Sequence, residues 1–448
     1  MDSAEYKLFH EDYMRNHTGS AVWESGVVLT SIPLGTFLVL YVTPLIPKKV
    51  VPFLEFLVIV FPVILGVTYL SDKVYLIPFT MLMISLGILF FDFNFKSFKQ
   101  VLNKDIKTKK SYISNYRAST NFVSVLCILA VDFIVFPRKF AKTESFGFGL
   151  MDLGVGFFVC ANGIVVKNLK TSNEFKKVFK GALVLIVLGI GRIVSTKSVD
   201  YHQLVTEYGI HWNFFFTLAF CKLFAYVVIA CTRSSNPFFL TLLTGIIHQL
   251  VLSAGMQEWV FSSVPRDSLI SANREGITSL LGYVSLYFAS VSLGQLLNSQ
   301  KQNKSYKHLL IELSVWMVIG WICTSYFYNT VGVSRKLANI GYNIWVLSLS
   351  ISKIIQFILA EIMVQMIYIN SKYDFEKMSC VPELLECINR NGLFYFLLGN
   401  LLTGAINITF QTLLMGKRTS ILLLTIYKAV LCLVAYILYR KNVVIKFW

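Results

Sequence analysis

Apolar runs long enough to cross a bilayer recur along the whole chain, and nothing else in it restricts the fold as much. A hydrocarbon core of roughly 30 Å takes about twenty apolar residues as a helix. Such stretches lie at residues 24–46, 51–70, 74–94, 118–136, 147–166, 181–199, 211–231, 236–255, 276–297, 308–328, 341–368, 391–413 and 420–439. Charged residues make up only 15% of the chain, against about 25% in soluble domains. The polar gaps are too short to bury a core of their own. The expectation is therefore all-α: a polytopic integral membrane protein of about 13 transmembrane helices, with residues 1–448 forming a single domain. The first twenty residues are polar and the first apolar run is too long for a cleaved leader, so that run is expected to stay as an anchor.

The net charge is +17. It does not point to nucleic acid, because the lysines cluster in short loops such as NKDIKTKK between apolar stretches. Loops of that kind face anionic lipid on the cytosolic side. Loops after odd-numbered stretches carry about twice the lysine and arginine of the others. This puts the odd loops in the cytosol, the N-terminus in the lumen and the C-terminus in the cytosol. The cysteines form no CxxC pair and the histidines no HExxH, so neither a metal nor a disulfide framework is expected.

The lumenal loops differ in kind from the lysine runs. VDFIVFPRKFAK, TEYGIHWNFF, ISANREGITS and GVSRKLANIGYN each mix acid, base, amide and aromatic residues. Four such clusters on one face are expected to converge on one polar pocket. The first cluster carries the most unusual charges. Asp132 lies near the end of an apolar stretch, and Lys142 follows beyond Phe136-Pro137-Arg138, where proline stops the helix. Charges at membrane depth are costly and tend to be functional. Two readings are open: an interfacial ion pair with a snorkelling belt, or a general base (Asp132) with an ammonium that orients it or stabilises an oxyanion (Lys142).

Other candidates carry similar pairs of readings. Arg138 and Lys139 suit headgroup contacts. Gly149, Gly154 and Gly156 suit close helix packing. Asp152 calls for a basic partner, with Arg192 a candidate. His211, Trp212 and Asn213 stand at a stretch boundary, as ligands or as interfacial anchors. Asn273 and Glu275 suit a helix N-terminus, and Arg274 and Arg335 suit either a lipid phosphate or snorkelling. Asn400 and Asn407 call for partners within the twelfth stretch, and His248 reads as a satisfied core histidine. The sequons Asn16-His17-Thr18 and Asn407-Ile408-Thr409 are expected to be lumenal and membrane-buried, respectively.

Five blocks carry a resemblance: AVDFIVFPRKFAKTESFGFGLMDLGVG, TEYGIHWNFFFTL, SANREGITSLLGY, SRKLANIGYNIWV and NRNGLFYFLLGNLLTGAIN. In this order they resemble the GPI inositol acyltransferase family (PIG-W in animals, Gwt in fungi), from about Glu11 to the end. The resemblance implies an endoplasmic reticulum enzyme. It would transfer a fatty acyl chain, usually palmitoyl, from acyl-CoA as co-substrate to the inositol 2-hydroxyl of glucosaminyl-phosphatidylinositol, with no bound cofactor. The family's catalytic Asp and Lys fall on Asp132 and Lys142. Ile134 departs from the proline that fungal members carry after VDF. Buried charges in a many-span chain also suit a lipid transporter or scramblase, which would need a route alternating between the two faces.

Overall fold

The computed structural model describes residues 3–15, 17–106, 110–166, 172–198, 206–298, 305–369 and 380–445. The Asn16 sequon position lies outside them. Among the described residues every regular element is helical, with two isolated bridges, Ser20–Phe148 and Asp105–Ser305. Nine of these helices are long and apolar enough to cross a membrane: Glu24–Leu45, Phe175–Ser195, Phe214–Thr232, Pro237–Phe261, Arg274–Asn298, Tyr306–Thr330, Ile340–Tyr368, Gly392–Thr409 and Lys417–Arg440. Leu76–Asp92 with Phe95–Leu102, bent by 108°, would make a tenth. The expected count of about 13 is not reached on this measure. Val51–Val67 and Leu153–Gly163 are apolar but shorter. The 20-residue helix Ser111–Ala130 carries Asn115, Arg117 and Asn121, which lower its apolar character.

Two helices form the posts of the bundle. Arg274–Asn298 and Ile340–Tyr368 each bury 72% of their apolar window, whereas Phe175–Ser195 and Tyr306–Thr330 bury 17% and turn most of their surface outward. The short helix Leu153–Gly163 packs against both posts, and its glycines permit the approach. A Cβ on Gly156 would lie 2.7 Å from Val346 Cγ1 and 2.8 Å from the Tyr342 hydroxyl. One on Gly154 would meet only Ser124 Oγ, at 4.0 Å. Of the expected packing glycines, Gly154 therefore is not one. Gly156→Ala is expected to cost about 1–3 kcal/mol through overpacking, read as a lower melting midpoint in detergent, with Gly154→Ala unchanged.

This helix begins later than the apolar stretch suggested, because residues 147–152 are turns and bends, not helix. The Asp152 carboxylate holds them, accepting from Thr143 N, Thr143 Oγ1 and Gly149 N at 3.2, 2.9 and 3.0 Å. The helix Ser111–Ala130 likewise stops well before Pro137. Arg138 Nη2 donates to the carbonyls of Val131, Phe133 and Phe136 at 2.6, 3.3 and 3.0 Å. A guanidinium that satisfies carbonyls beyond a helix end stabilises the break.

The polar loops then join in one layer. Gly147 N donates to Val333 O at 2.9 Å, and Ser334 Oγ to Ser145 O at 2.6 Å. Gly276 N donates to Tyr208 O at 2.9 Å, and Ile210 N to Ala272 O at 2.9 Å. Ser20 N donates to Phe148 O at 2.7 Å, which brings in the segment before the first long helix. All four mixed-polarity clusters therefore meet at one end of the bundle.

Candidate functional site

Under this loop layer lies a cavity of about 260 Å³. Asp132, Lys142, Arg192, Glu207 and Asn400 supply polar lining, while Leu29, Val123, Phe157, Phe158, Phe214 and Phe396 supply an apolar wall. Such a mixture suits a ligand with both a charged or hydroxylated head and a hydrocarbon tail.

Asp132 is 3% exposed and sits in the turn beyond Ala130, its amide bonded to Leu129 O at 3.2 Å. Its Oδ2 accepts from Asn407 Nδ2 at 2.7 Å, and its Oδ1 lies 3.5 Å from His10 Nε2. The expectation that Asn407 serves helix contacts is thus redirected: it holds the candidate base. Lys142 differs from expectation in its partner. Its ammonium donates to Glu207 Oε1 at 2.6 Å. Asp132 and Lys142 share the cavity, but each is held by a different group.

Glu207 keeps its charge at this position. Burial alone would raise its carboxyl, but the Lys142 ammonium and the Arg335 guanidinium hold it down at about 2, from an ordinary 4.5. A depressed carboxyl stabilises the fold above its unfolded value and loses that contribution as pH falls through the folded one. Glu207→Gln is therefore expected to lower stability by an amount on the order of 1–3 kcal/mol. Melting midpoints of the two proteins should differ by a constant gap from pH 5 to 8. The gap should close as pH falls from 4.5 towards 2.

The other candidates separate into cavity and scaffold. Arg192, Trp212, Asn213 and Asn400 line the cavity. Trp212 Nε1 donates to Thr217 Oγ1 at 2.9 Å. Asn213 caps the helix Phe214–Thr232 through Oδ1 and donates to Gly189 O at 3.0 Å. Asn400 Nδ2 donates to Phe396 O at 2.8 Å within its own helix. Arg138, Asp152, His211, Asn273, Arg274 and Arg335 are not in the lining.

The physical reasons are local. Arg138 spends its guanidinium on the carbonyls described above and stacks over Tyr13 at 4.4 Å, so it is no headgroup contact. Lys139 pairs with Glu24 at 2.7 Å. Asp152 pairs with Arg335, not Arg192: Arg335 Nε donates to Asp152 Oδ1 at 2.9 Å, with both residues almost fully buried. Arg274 donates to Ser262 O and Val264 O at 2.6 and 3.1 Å, pinning the preceding loop. Glu275 is bound by Arg266. Asn273 accepts from His211 N at 2.8 Å and donates to Leu269 O at 2.9 Å, while His211 itself is exposed. His248 Nε2 is bonded to Leu337 O at 2.8 Å, as a satisfied core histidine would be.

Among the cavity residues that escaped the sequence are His10, His17, Glu207 and Tyr208. Glu207 and Tyr208 lie in the TEYG cluster, whose mixed polarity was the signal available. The two histidines lie in the polar segment ahead of the first apolar run, where no periodicity marked them.

A family model described as GWT1 matches residues 6–438. The GPI-anchored wall transfer protein 1 of Schizosaccharomyces pombe is 32% identical over 469 residues, covering 98% of this chain and 99% of its own. The phosphatidylinositol-glycan biosynthesis class W protein of Dictyostelium discoideum is 30% identical, with 99% of each chain covered. The GPI-anchored wall transfer protein 1 of Saccharomyces cerevisiae is 34% identical over 376 residues, 75% of each. With a match across nearly its whole length and relatives of matching extent, the chain belongs to the GWT1 family.

Proposed function

We propose that this protein is an acyl-CoA-dependent inositol acyltransferase of the endoplasmic reticulum membrane, acting in GPI-anchor biosynthesis. The acceptor is the inositol 2-hydroxyl of glucosaminyl-phosphatidylinositol, and the acyl group is palmitoyl or a similar chain. The observation that carries this reading is one cavity holding Asp132, Lys142 and an apolar wall together. The relatives' names, which refer to GPI-anchored proteins and phosphatidylinositol-glycan biosynthesis, support the substrate class.

In this reading the Asp132 end of the cavity takes the hydroxyl proton. The alcohol oxygen attacks the thioester carbon, and negative charge develops on the carbonyl oxygen. Lys142 has three N–H donors. With one engaged by Glu207, the others can stabilise that oxygen. The intermediate collapses with loss of the C–S bond, and the CoA thiolate takes up the proton. Arg192 is the cavity arginine suited to a phosphate of the lipid or the donor. Arg274 and Arg335 have no part in this, being committed to the scaffold.

The test is reconstitution. Purified protein in liposomes, given acyl-CoA and glucosaminyl-phosphatidylinositol, should release CoA and form the inositol-acylated lipid, detected by mass spectrometry. Movement of lipid between leaflets without any acylated product would overturn this reading in favour of a transporter or scramblase.

A further inference from the structure

The N-terminal helix Ser3–Tyr13 is part of the cavity wall that the scheme above leaves unused. It is held on both sides of His10. Towards its start, the Tyr6 hydroxyl lies 3.3 Å from Thr412 Oγ1 and accepts from Leu413 N at 3.2 Å. Towards its end, the Tyr13 ring lies under the Arg138 guanidinium, and Met14 Sδ lies 3.2 Å from Arg138 Nη1. Arg138 in turn fixes the turn that carries Asp132. One guanidinium therefore ties the helix bearing His10 to the loop bearing the candidate base.

The result is an ordered imidazole–carboxylate pair on the cavity. His10 Nε2 stands 3.5 Å from Asp132 Oδ1, and Asn407 Nδ2 occupies the other carboxylate oxygen at 2.7 Å. Bonds between catalytic groups are often long without substrate and tighten when it binds. A carboxylate is by itself a weak base towards an alcohol, since carboxyl groups ordinarily titrate near 4. Imidazole lies much closer to the working pH, where acceptance and return of a proton are both accessible.

We propose that His10 is the proton acceptor of the transfer and that Asp132 acts through it. This inference rests on the acyltransferase reading above. Asp132 fixes the tautomer by accepting from Nε2–H and stabilises the imidazolium once it forms, as carboxylates do in other acyl-transfer triads. The hydroxyl proton passes to Nδ1 as the C–O bond forms. When the C–S bond breaks, the imidazolium returns that proton to the departing CoA thiolate, giving the thiol. Ester and free CoA are the only products, and no further reactant is needed.

The test uses the full-length protein in liposomes. Variants His10→Gln, Asp132→Asn and the double variant are compared with wild type for kcat and for KM towards acyl-CoA and the lipid acceptor. His10 is partly exposed and its helix stays docked through Tyr6 and Tyr13, so His10→Gln should melt with wild type. Its kcat should fall about 10²–10⁴-fold, with each KM within a few-fold. Residues acting as a unit are strongly non-additive, so the double variant should be no slower than the slower single one. A His10→Gln protein within about threefold of wild type beside an inactive Asp132→Asn protein would overturn the proposal and leave the acyltransferase reading standing. So would losses that multiply in the double variant. Failure of the wild-type protein to acylate the lipid at all would remove both.

Discussion

Asp132→Asn is expected to lower kcat for acyl transfer about 10²–10⁴-fold while the protein still reaches the membrane and melts close to wild type. The two halves of that expectation have separate causes. Asparagine keeps the volume of aspartate, and its amide oxygen can still accept from Asn407 Nδ2, so the half-buried amide on the neighbouring helix keeps this partner. The turn around residue 132 is built from backbone bonds and from Arg138 on three carbonyls, none of which uses the Asp132 side chain. What the substitution removes is the negative charge facing His10 and any capacity to accept a proton. Asp132→Ala is the less informative change, because it also takes this acceptor from the half-buried Asn407 amide and opens a gap in the buried turn. The measurement is acylated product per enzyme in liposomes, alongside a melting curve. Near-normal turnover of Asp132→Asn would end the assignment of acid–base work to this end of the cavity.

The chain announced some of this openly and hid the rest for identifiable reasons. Apolar runs fix where helices form, because backbone polar groups in hydrocarbon must be satisfied within the segment. Asp132 and Lys142 stood out because a charge beside such a run is conspicuous in a single sequence. Their partners did not stand out. Lys142 meets Glu207 across 65 residues, Asp152 meets Arg335 across 183, and Asp132 meets Asn407 across 275. Contacts at that range leave no local periodicity. For the same reason Arg192 stands out in the sequence as a partner for Asp152, while nothing there points to Arg335. Helix ends were misplaced where a side chain intervened. Residues 131–136 are apolar except for Asp132, yet Arg138 reaches back and turns their carbonyls out of the helix. Residues 147–152 are apolar enough to extend the next helix, but Asp152 gathers the amides of Thr143 and Gly149 and holds the segment in turns.

That long-range pair supplies the largest expected effect on stability. Removing one member of a buried ion pair strands the other charge, which typically costs about 3–5 kcal/mol. Asp152→Leu should do so here, since Arg335, 3% exposed, would lose its hydrogen-bonded carboxylate and keep only the field of Glu207, and Thr143 N and Gly149 N would lose their acceptor. Arg335→Met should be damaging for the converse reason, although the three donors from Thr143 and Gly149 would soften the cost to Asp152. Both should appear as reduced yield and a lowered melting midpoint in detergent, before any question of turnover arises. The double variant is the informative one. With no stranded charge it should recover much of the loss from Arg335→Met, as buried pairs elsewhere tolerate joint apolar replacement. An Arg335→Met protein that melts like wild type but shows a raised KM for the phospholipid would instead make Arg335 a substrate contact. Its burial argues against that outcome: Arg335 is 3% exposed, pairs with Asp152 and stands outside the cavity lining, so a phosphate in the cavity would not reach it.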